Sequence, residues 1–269
     1  MISRHLADFW LQHLTLFTPK KINQMAASFP CPEDLFEHPP DALRDKGISL
    51  TFPEAGQYEA FRDEDKLKML EDGYLASGIR FASSGDKAFP AGTEGLSDPP
   101  RGLFYKGSLP AKEGFSVSIV GSRACTVYGK EMAYFFGREL AKKGLRIISG
   151  MALGIDGFAQ KGAVSLSSDP ACGRSFAVLA GGVDICYPRE NIGLYRELSG
   201  NGHGILSERP PKTPAHPRDF PVRNRIIAAL SDVLIVIEAA ENSGSLITVS
   251  HALQLGRDVF VLPDRKSVV

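Results

Sequence analysis

From residue 115 onward the chain alternates between two grammars. Short β-branched and aliphatic runs at 116–120, 146–149, 176–179, 204–207, 233–238 and 259–262 predict strands. Between them, 129–143, 155–164, 192–199, 220–230 and 246–255 have helical spacing. The first of these carries a Met132, Phe136, Leu140 stripe closed by Gly144, and the last is closed by Gly256. Strand and helix in strict alternation predict an α/β fold with a parallel sheet and helices on both faces. Several strands are apolar throughout, as burial on both faces requires.

The first part reads differently. Leu6, Trp10 and Leu14 share one helical face, and 58–75 is a second periodic stretch with Phe61, Leu67, Leu70 and Leu75. Pro30, Pro32, Pro39, Pro40 and Pro53 punctuate the intervening segments. The pattern divides the chain into a small helical domain (1–80), a linker rich in Gly, Pro and Ser with one short strand at 103–106 (81–114), and the α/β domain (115–269).

Formal net charge is zero across 269 residues, but unevenly distributed. Residues 1–115 hold 13 basic and 17 acidic groups, and 116–269 hold 18 and 14, so an anionic ligand is expected on the second part. The longest apolar runs are far shorter than the roughly 20 residues of a membrane span. His5, Asp8, Gln12 and His13 interrupt what would be the apolar region of a secretory signal. Cys31, Cys125, Cys172 and Cys186 form no CxxC pair, and the six histidines have no ligand spacing. A cytoplasmic protein with reduced thiols and neither metal nor cofactor is expected.

In such sheets ligands lie beyond the carboxyl ends of the strands, so chemistry is sought in the strand-to-helix loops. The first, Gly121-Ser122-Arg123, allows close backbone approach, adds a hydroxyl, and sets a planar fork beside a helix N-terminus, a combination suited to phosphate. The second contains Gly150, Gly154 and Asp156, the acid being read as a helix-start charge. The third runs through Gly181 and Gly182 to Arg189, just before a helix that Asn191 is expected to cap. The fourth is a Pro-rich basic loop with Arg209, Lys212, Arg218, Arg223 and Arg225 interleaved with His216 and Phe220, the cation-and-ring mixture that single-stranded nucleic acid uses. The fifth, 238–248, brings Ser243, Gly244 and Ser245 to the start of the last helix. A GxGxxG after the first strand, a Walker loop and a GxSxG elbow are all missing, and Glu238 and Glu241 have no identified proton-transfer partner.

Taken in order, VGSRACTVYG, SGMALGIDGFAQKGAV, LAGGVDICYPRENIGLY, LSERPP, FPVRNRIIAALSDVLIVIEAAENSGSLIT and ALQLGRDVFVLP resemble the DNA-processing protein A (DprA/Smf) family over about residues 80–263. The resemblance implies an extended Rossmann-like domain and a non-enzymatic protein. Such a protein binds and protects single-stranded DNA, forms a homodimer, and loads a RecA-type recombinase during natural transformation. It implies DNA contacts at Gly121, Ser122, Arg123, Arg189 and the arginines of FPVRNR; Gly150, Gly182, Arg218, Asn224, Ser243, Gly244 and Ser245 are the further expected DNA or phosphate contacts. Leu246, Val249 and Leu253 are the expected dimer surface.

Three departures stand out. The N-terminal stretch Leu16-Phe17-Thr18-Pro19-Lys20-Lys21 replaces the family's Pro-Gly-Ile-Gly type turn. Leu262-Pro263-Asp264 replaces Val-Pro-Gly. The family continues past the point corresponding to Val269, so a shortened C-terminus is expected. The alternative is an enzyme: the same fold resembles the LOG nucleotide phosphoribohydrolases, whose Pro-Gly-Gly-x-Gly-Thr-x-x-Glu loop is here Glu-Asn-Ser-Gly-Ser-Leu-Ile-Thr without the final Glu. A nucleotide-binding scaffold is a further alternative.

Overall fold

A computed structural model describes residues 2–240 and 243–263. Six helices come first: α1 (Arg4–Gln12), α2 (Pro19–Ala27), α3 (Pro32–Glu37), α4 (Asp41–Asp45), α5 (Phe52–Ala60) and α6 (Glu64–Ala76). Prolines start several of them, while Pro30 and Pro39 separate others as expected. Pro19, Pro32 and Pro53 sit in first turns, where an N–H would lack a partner anyway. Thr51 and Glu54 form a reciprocal capping box. The 58–75 stretch is two helices, because the Asp63 carboxylate accepts from Lys66 N–H and begins α6 afresh.

The sheet has eight strands: β1 (Arg80–Ser83), β2 (Gly102–Gly107), β3 (Ser116–Val120), β4 (Arg146–Ser149), β5 (Ser175–Leu179), β6 (Gly204–Ser207), β7 (Val233–Val236) and β8 (Asp258–Val261). Their order is β1-β2-β6-β5-β4-β3-β7-β8. The β3-to-β8 block is parallel throughout, whereas β1 and β2 add antiparallel at one edge. The expected parallel sheet is therefore extended by two antiparallel strands, and the 81–114 segment is the sheet's own margin. Five helices connect the parallel strands: α7 (Val127–Lys142), α8 (Ile155–Val164), α9 (Ile192–Leu198), α10 (Asp219–Ala229) and α11 (Ser245–Gln254).

Helix α7 approaches α8 through Gly129, Ala133, Gly137 and Ala141, its most buried residues, with the Met132, Phe136, Leu140 stripe flanking that ridge half-buried. A Cβ on Gly137 would run into the backbone of Ala159, so small residues set the helix separation. The N-terminal helices share one core with the sheet: Trp10, Leu14, Phe36 and Tyr58 belong to the same cluster as Phe104, Leu179 and Ile205. Asp8, fully buried on α1, ties the two together. It accepts from Arg4 at 3.0 Å, Arg101 at 3.0 Å, Ser83 at 2.6 Å and Ser84 at 3.3 Å. No helix among the described residues is long and apolar enough to cross a membrane.

Candidate nucleic-acid crevice

Strand order reverses at β3: β4, β5 and β6 lie to one side and β7 and β8 to the other. The loops leaving β3 and β7 therefore diverge, and a crevice of about 670 Å³ opens between them at the carboxyl edge of the sheet. Gly121, Ser122 and Arg123 line one side, Ser243 and Gly244 the other, and α10 supplies Phe220, Arg223 and Asn224.

Gly121 is required by closeness, since a Cβ there would meet the Glu238 carbonyl and the Ile155 side chain. Ser122 N–H donates to the Glu238 carbonyl at 2.6 Å, and its hydroxyl accepts from Ala124 N–H. Arg123 is exposed, with its guanidinium carbon 4.8 Å from the Phe220 ring centroid. Tyr187 stands beside Phe220, ring centroids 5.7 Å apart. One wall of the crevice is thus a cation over an aromatic pair. The expected free N-terminus beside Arg123 is not there. Helix α7 starts only at Val127, and the Glu238 carboxylate accepts from the Thr126 N–H and hydroxyl in front of it.

The arginines of α10 divide by helical geometry. Residues two apart on a helix do not share a face. Arg223 points under the crevice, donating to the Gly150 carbonyl at 3.1 Å and to the Val178 carbonyl. Burial lowers its pKa to about 10, which leaves it protonated at neutral pH, and Asp156 opposes that fall. Asp156 is itself pushed up by burial, held back by Arg223 and by the Gly150 N–H at 3.1 Å. Asp156 is thus the helix-start acid expected in the first turn of α8, but a buried one that faces Arg223.

Arg225 leaves the crevice altogether. Its buried guanidinium grips both Glu208 oxygens at 2.7 and 2.8 Å and lies 3.3 Å from Asp98. Asn224 donates to the Gly244 carbonyl at 3.2 Å, joining α10 to the start of α11.

Other sequence-predicted positions scatter. Gly150 lies behind Arg223, where a Cβ would meet both the guanidinium and Asp156. Gly182 donates to the Thr213 carbonyl at 2.8 Å and serves loop packing. Arg189 and Arg218 are exposed outside the crevice lining. Asn191 occupies the N-cap position of α9 without a side-chain capping bond; its amide crosses to the Met151 carbonyl at 3.0 Å. Ser243 and Ser245 share a hydroxyl contact of 2.7 Å at the mouth of α11. Glu241 and Asn242 fall outside the described residues.

On α11, Leu246 and Leu253 are exposed, but Val249 packs on the core at the border of the buried Ser245, Thr248, Ala252 face. The expected three-residue stripe is therefore a two-residue one. Among the described residues no cluster of three His, Cys, Asp or Glu could hold a metal ion, and all four cysteines are free. Tyr187 was not singled out in the sequence, and its place immediately before Pro188 in the third loop is the only signal it offered.

The model of the family described as DNA recombination-mediator protein A matches residues 80–268. The chain is 40% identical over 199 residues to the DNA processing protein DprA of Bacillus subtilis, covering 74% of this chain and 65% of that one. It is 41% identical over 175 residues to the Smf protein of Escherichia coli, covering 65% and 46%. The chain thus spans less than two thirds of the length of either relative. Among solved structures, DprA of Streptococcus pneumoniae superposes with a TM-score of 0.71 at 28% identity, over 99% of this chain and 89% of that one. The Helicobacter pylori DNA processing protein A, described for its single-stranded DNA binding mode, gives 0.61 at 33% identity over 70% and 82%.

Proposed function

Because the chain belongs to the DNA recombination-mediator protein A family, we propose that its crevice binds single-stranded DNA and that the protein mediates recombination without being an enzyme. The observation that carries this reading is the exposed Arg123 guanidinium stacked on Phe220 beside Tyr187. A cation takes the backbone and flat rings take unstacked bases, with no dependence on base identity. Single-stranded DNA binding described for the Helicobacter pylori relative supports the same ligand.

In the fuller reading, the protein protects incoming strands in the cytoplasm and loads a RecA-type recombinase during natural transformation. It acts as a homodimer through the exposed Leu246 and Leu253 of α11. The non-enzymatic part is supported by the carboxylates beside the crevice. Glu238 is occupied with Thr126, and Asp156 with Gly150 and Arg223, so neither is poised as an acid or base on a nucleotide. The test is a titration of oligo-dT against blunt duplex, with adenosine monophosphate turnover measured on the same preparation. Preference for oligo-dT without release of adenine is expected. Equal affinity for both DNAs would overturn the binding reading, and adenine release would promote the hydrolase.

A further inference from the structure

The opposite edge of the sheet, where the parallel strands begin, carries two hollows that the crevice does not use. One, of about 90 Å³, lies among the starts of β3, β4, β7 and β8 and is lined by Arg146, Arg257, Lys112 and Asp232. The other, of about 440 Å³, lies at the start of β1 and the end of β2 and is lined by Arg80, Lys87, Tyr105 and Glu113. They share the 110–112 segment as a wall. Because β2 runs antiparallel, its final residues arrive on the same edge as the beginnings of the parallel strands.

Two observations bear on these cations, whose lack of an ion pair among the described residues is shared by Arg123, Arg189 and Arg218. Elsewhere in the molecule Arg4, Arg62, Arg101, Arg138, Arg209 and Arg225 each meet a carboxylate within ion-pair distance. Among the described residues none of Arg80, Lys87, Lys112, Arg146 and Arg257 does. Arg146 donates to the backbone carbonyls of Ala111 and Gly114, with Asp232 and Glu113 close enough to act on its charge without reaching ion-pair distance, and Arg80 lies over the Tyr105 ring at 5.9 Å. The Asp232 carboxylate accepts from Ser116 N–H at 2.8 Å. The Nε atoms of Arg146 and Arg257 are also buried without a hydrogen-bond partner, at the walls of the smaller hollow. Buried guanidinium donors are costly to leave unmade, and an acceptor with several oxygens would satisfy both.

We propose that this edge is a second phosphate site, which holds the backbone of a single-stranded nucleic acid beyond the segment seated in the crevice. The smaller hollow is of a size for one phosphate group, and the wider one places Tyr105, Lys87 and Arg80 where an adjoining nucleotide would lie. The site rests on the reading above for the identity of its ligand, but none of its residues belongs to the crevice.

The test compares short and long oligo-dT on wild type, on Arg123→Ala, and on a Lys87→Gln/Lys112→Gln/Arg257→Gln variant whose melting is checked first. The triple variant should bind the short strand as wild type does and the long one more weakly. Its slope of log affinity against log salt should be shallower by roughly 2, the value for three lost single-strand contacts. An unchanged slope on the long strand would overturn the proposal. Acetylation of Lys87 and Lys112, read by mass spectrometry, separates this outcome from failure of the crevice. Protection by the long strand that persists in Arg123→Ala supports the second site by itself. Absence of protection in wild type overturns it even if the crevice binds. Equal protection of Lys112 by inorganic phosphate at matched phosphate concentration would also overturn it, in favour of a free-anion site.

Discussion

The junction around Asp8 and the crevice around Arg123 hold charge in opposite ways. At the junction one buried carboxylate gathers two arginines and two serine hydroxyls from four points along the chain. At the crevice the arginine is exposed and its described contact is an aromatic face. A saturated buried charge is structural, since removing either partner strands the other in a poor solvent. A cation resting on a ring keeps its hydrogen-bonding edge free for a ligand. Arg223 and Arg225 place this contrast within one helix, the first forming the floor of the crevice and the second bolting α10 to Glu208 and Asp98.

The contrast breaks if junction variants lose DNA binding before they lose stability. Asp8→Ala should have the largest effect, about 4 kcal/mol of unfolding free energy by denaturant titration, with the salt slope of binding by the folded fraction unchanged. Arg225→Ala should follow at about 3 kcal/mol, again without touching the slope. Phe220→Ala should leave melting nearly unchanged and weaken oligo-dT binding by about 1–3 kcal/mol at every base composition. Arg123→Ala should flatten the salt slope by roughly 0.7 with no change in melting, and Arg123→Lys should restore the slope but only part of the affinity.

The smallest effect is expected in the pH profile of melting, where His5 of α1 and His13, at that helix's C-terminal cap, oppose each other. The hydrogen bond that His5 donates to Glu71, assisted by Asp86, raises His5 above its ordinary 6.5, so its contribution is complete below that value and fades as pH rises through the folded pKa. Burial lowers His13 to about 4, so its contribution is complete above 6.5 and fades as pH falls toward 4. His5→Gln should remove the alkaline decline and leave the acid one. A profile unchanged by that substitution would show that the Glu71 pair contributes nothing measurable.

Periodicity located the parallel strands and their helices closely: 116–120, 146–149 and 204–207 coincide with β3, β4 and β6, and 155–164 with α8. These segments are buried by their own composition, so the pattern of hydrophobic residues suffices. Strand β1 was missed because Arg80-Phe81-Ala82-Ser83 is too short and too mixed to read alone; it exists by pairing with β2 and covering α1. The site was legible as a set of loops, because the chain must turn at each strand end. Which loops share a crevice depended on strand order, and β7 neighbours β3 only through a long crossover. The separation of Arg223 from Arg225 needed only the helix assignment, whereas the partners Glu208 and Asp98 are distant in sequence and carried no local sign.

The triplet Arg223-Asn224-Arg225 sends three consecutive side chains to three different places: the backbone behind β4 and β5, the carbonyl of Gly244, and the carboxylates of Glu208 and Asp98. In a library of random variants sorted once for abundance and once for DNA retention, such a triplet would be depleted in the first sort, before the second could score it. Arg123 and Phe220 would pass the first and fail the second. Positions that read as most functional from their arginine content would therefore register as folding determinants, and the binding surface would be mapped by the residues whose loss the fold survives.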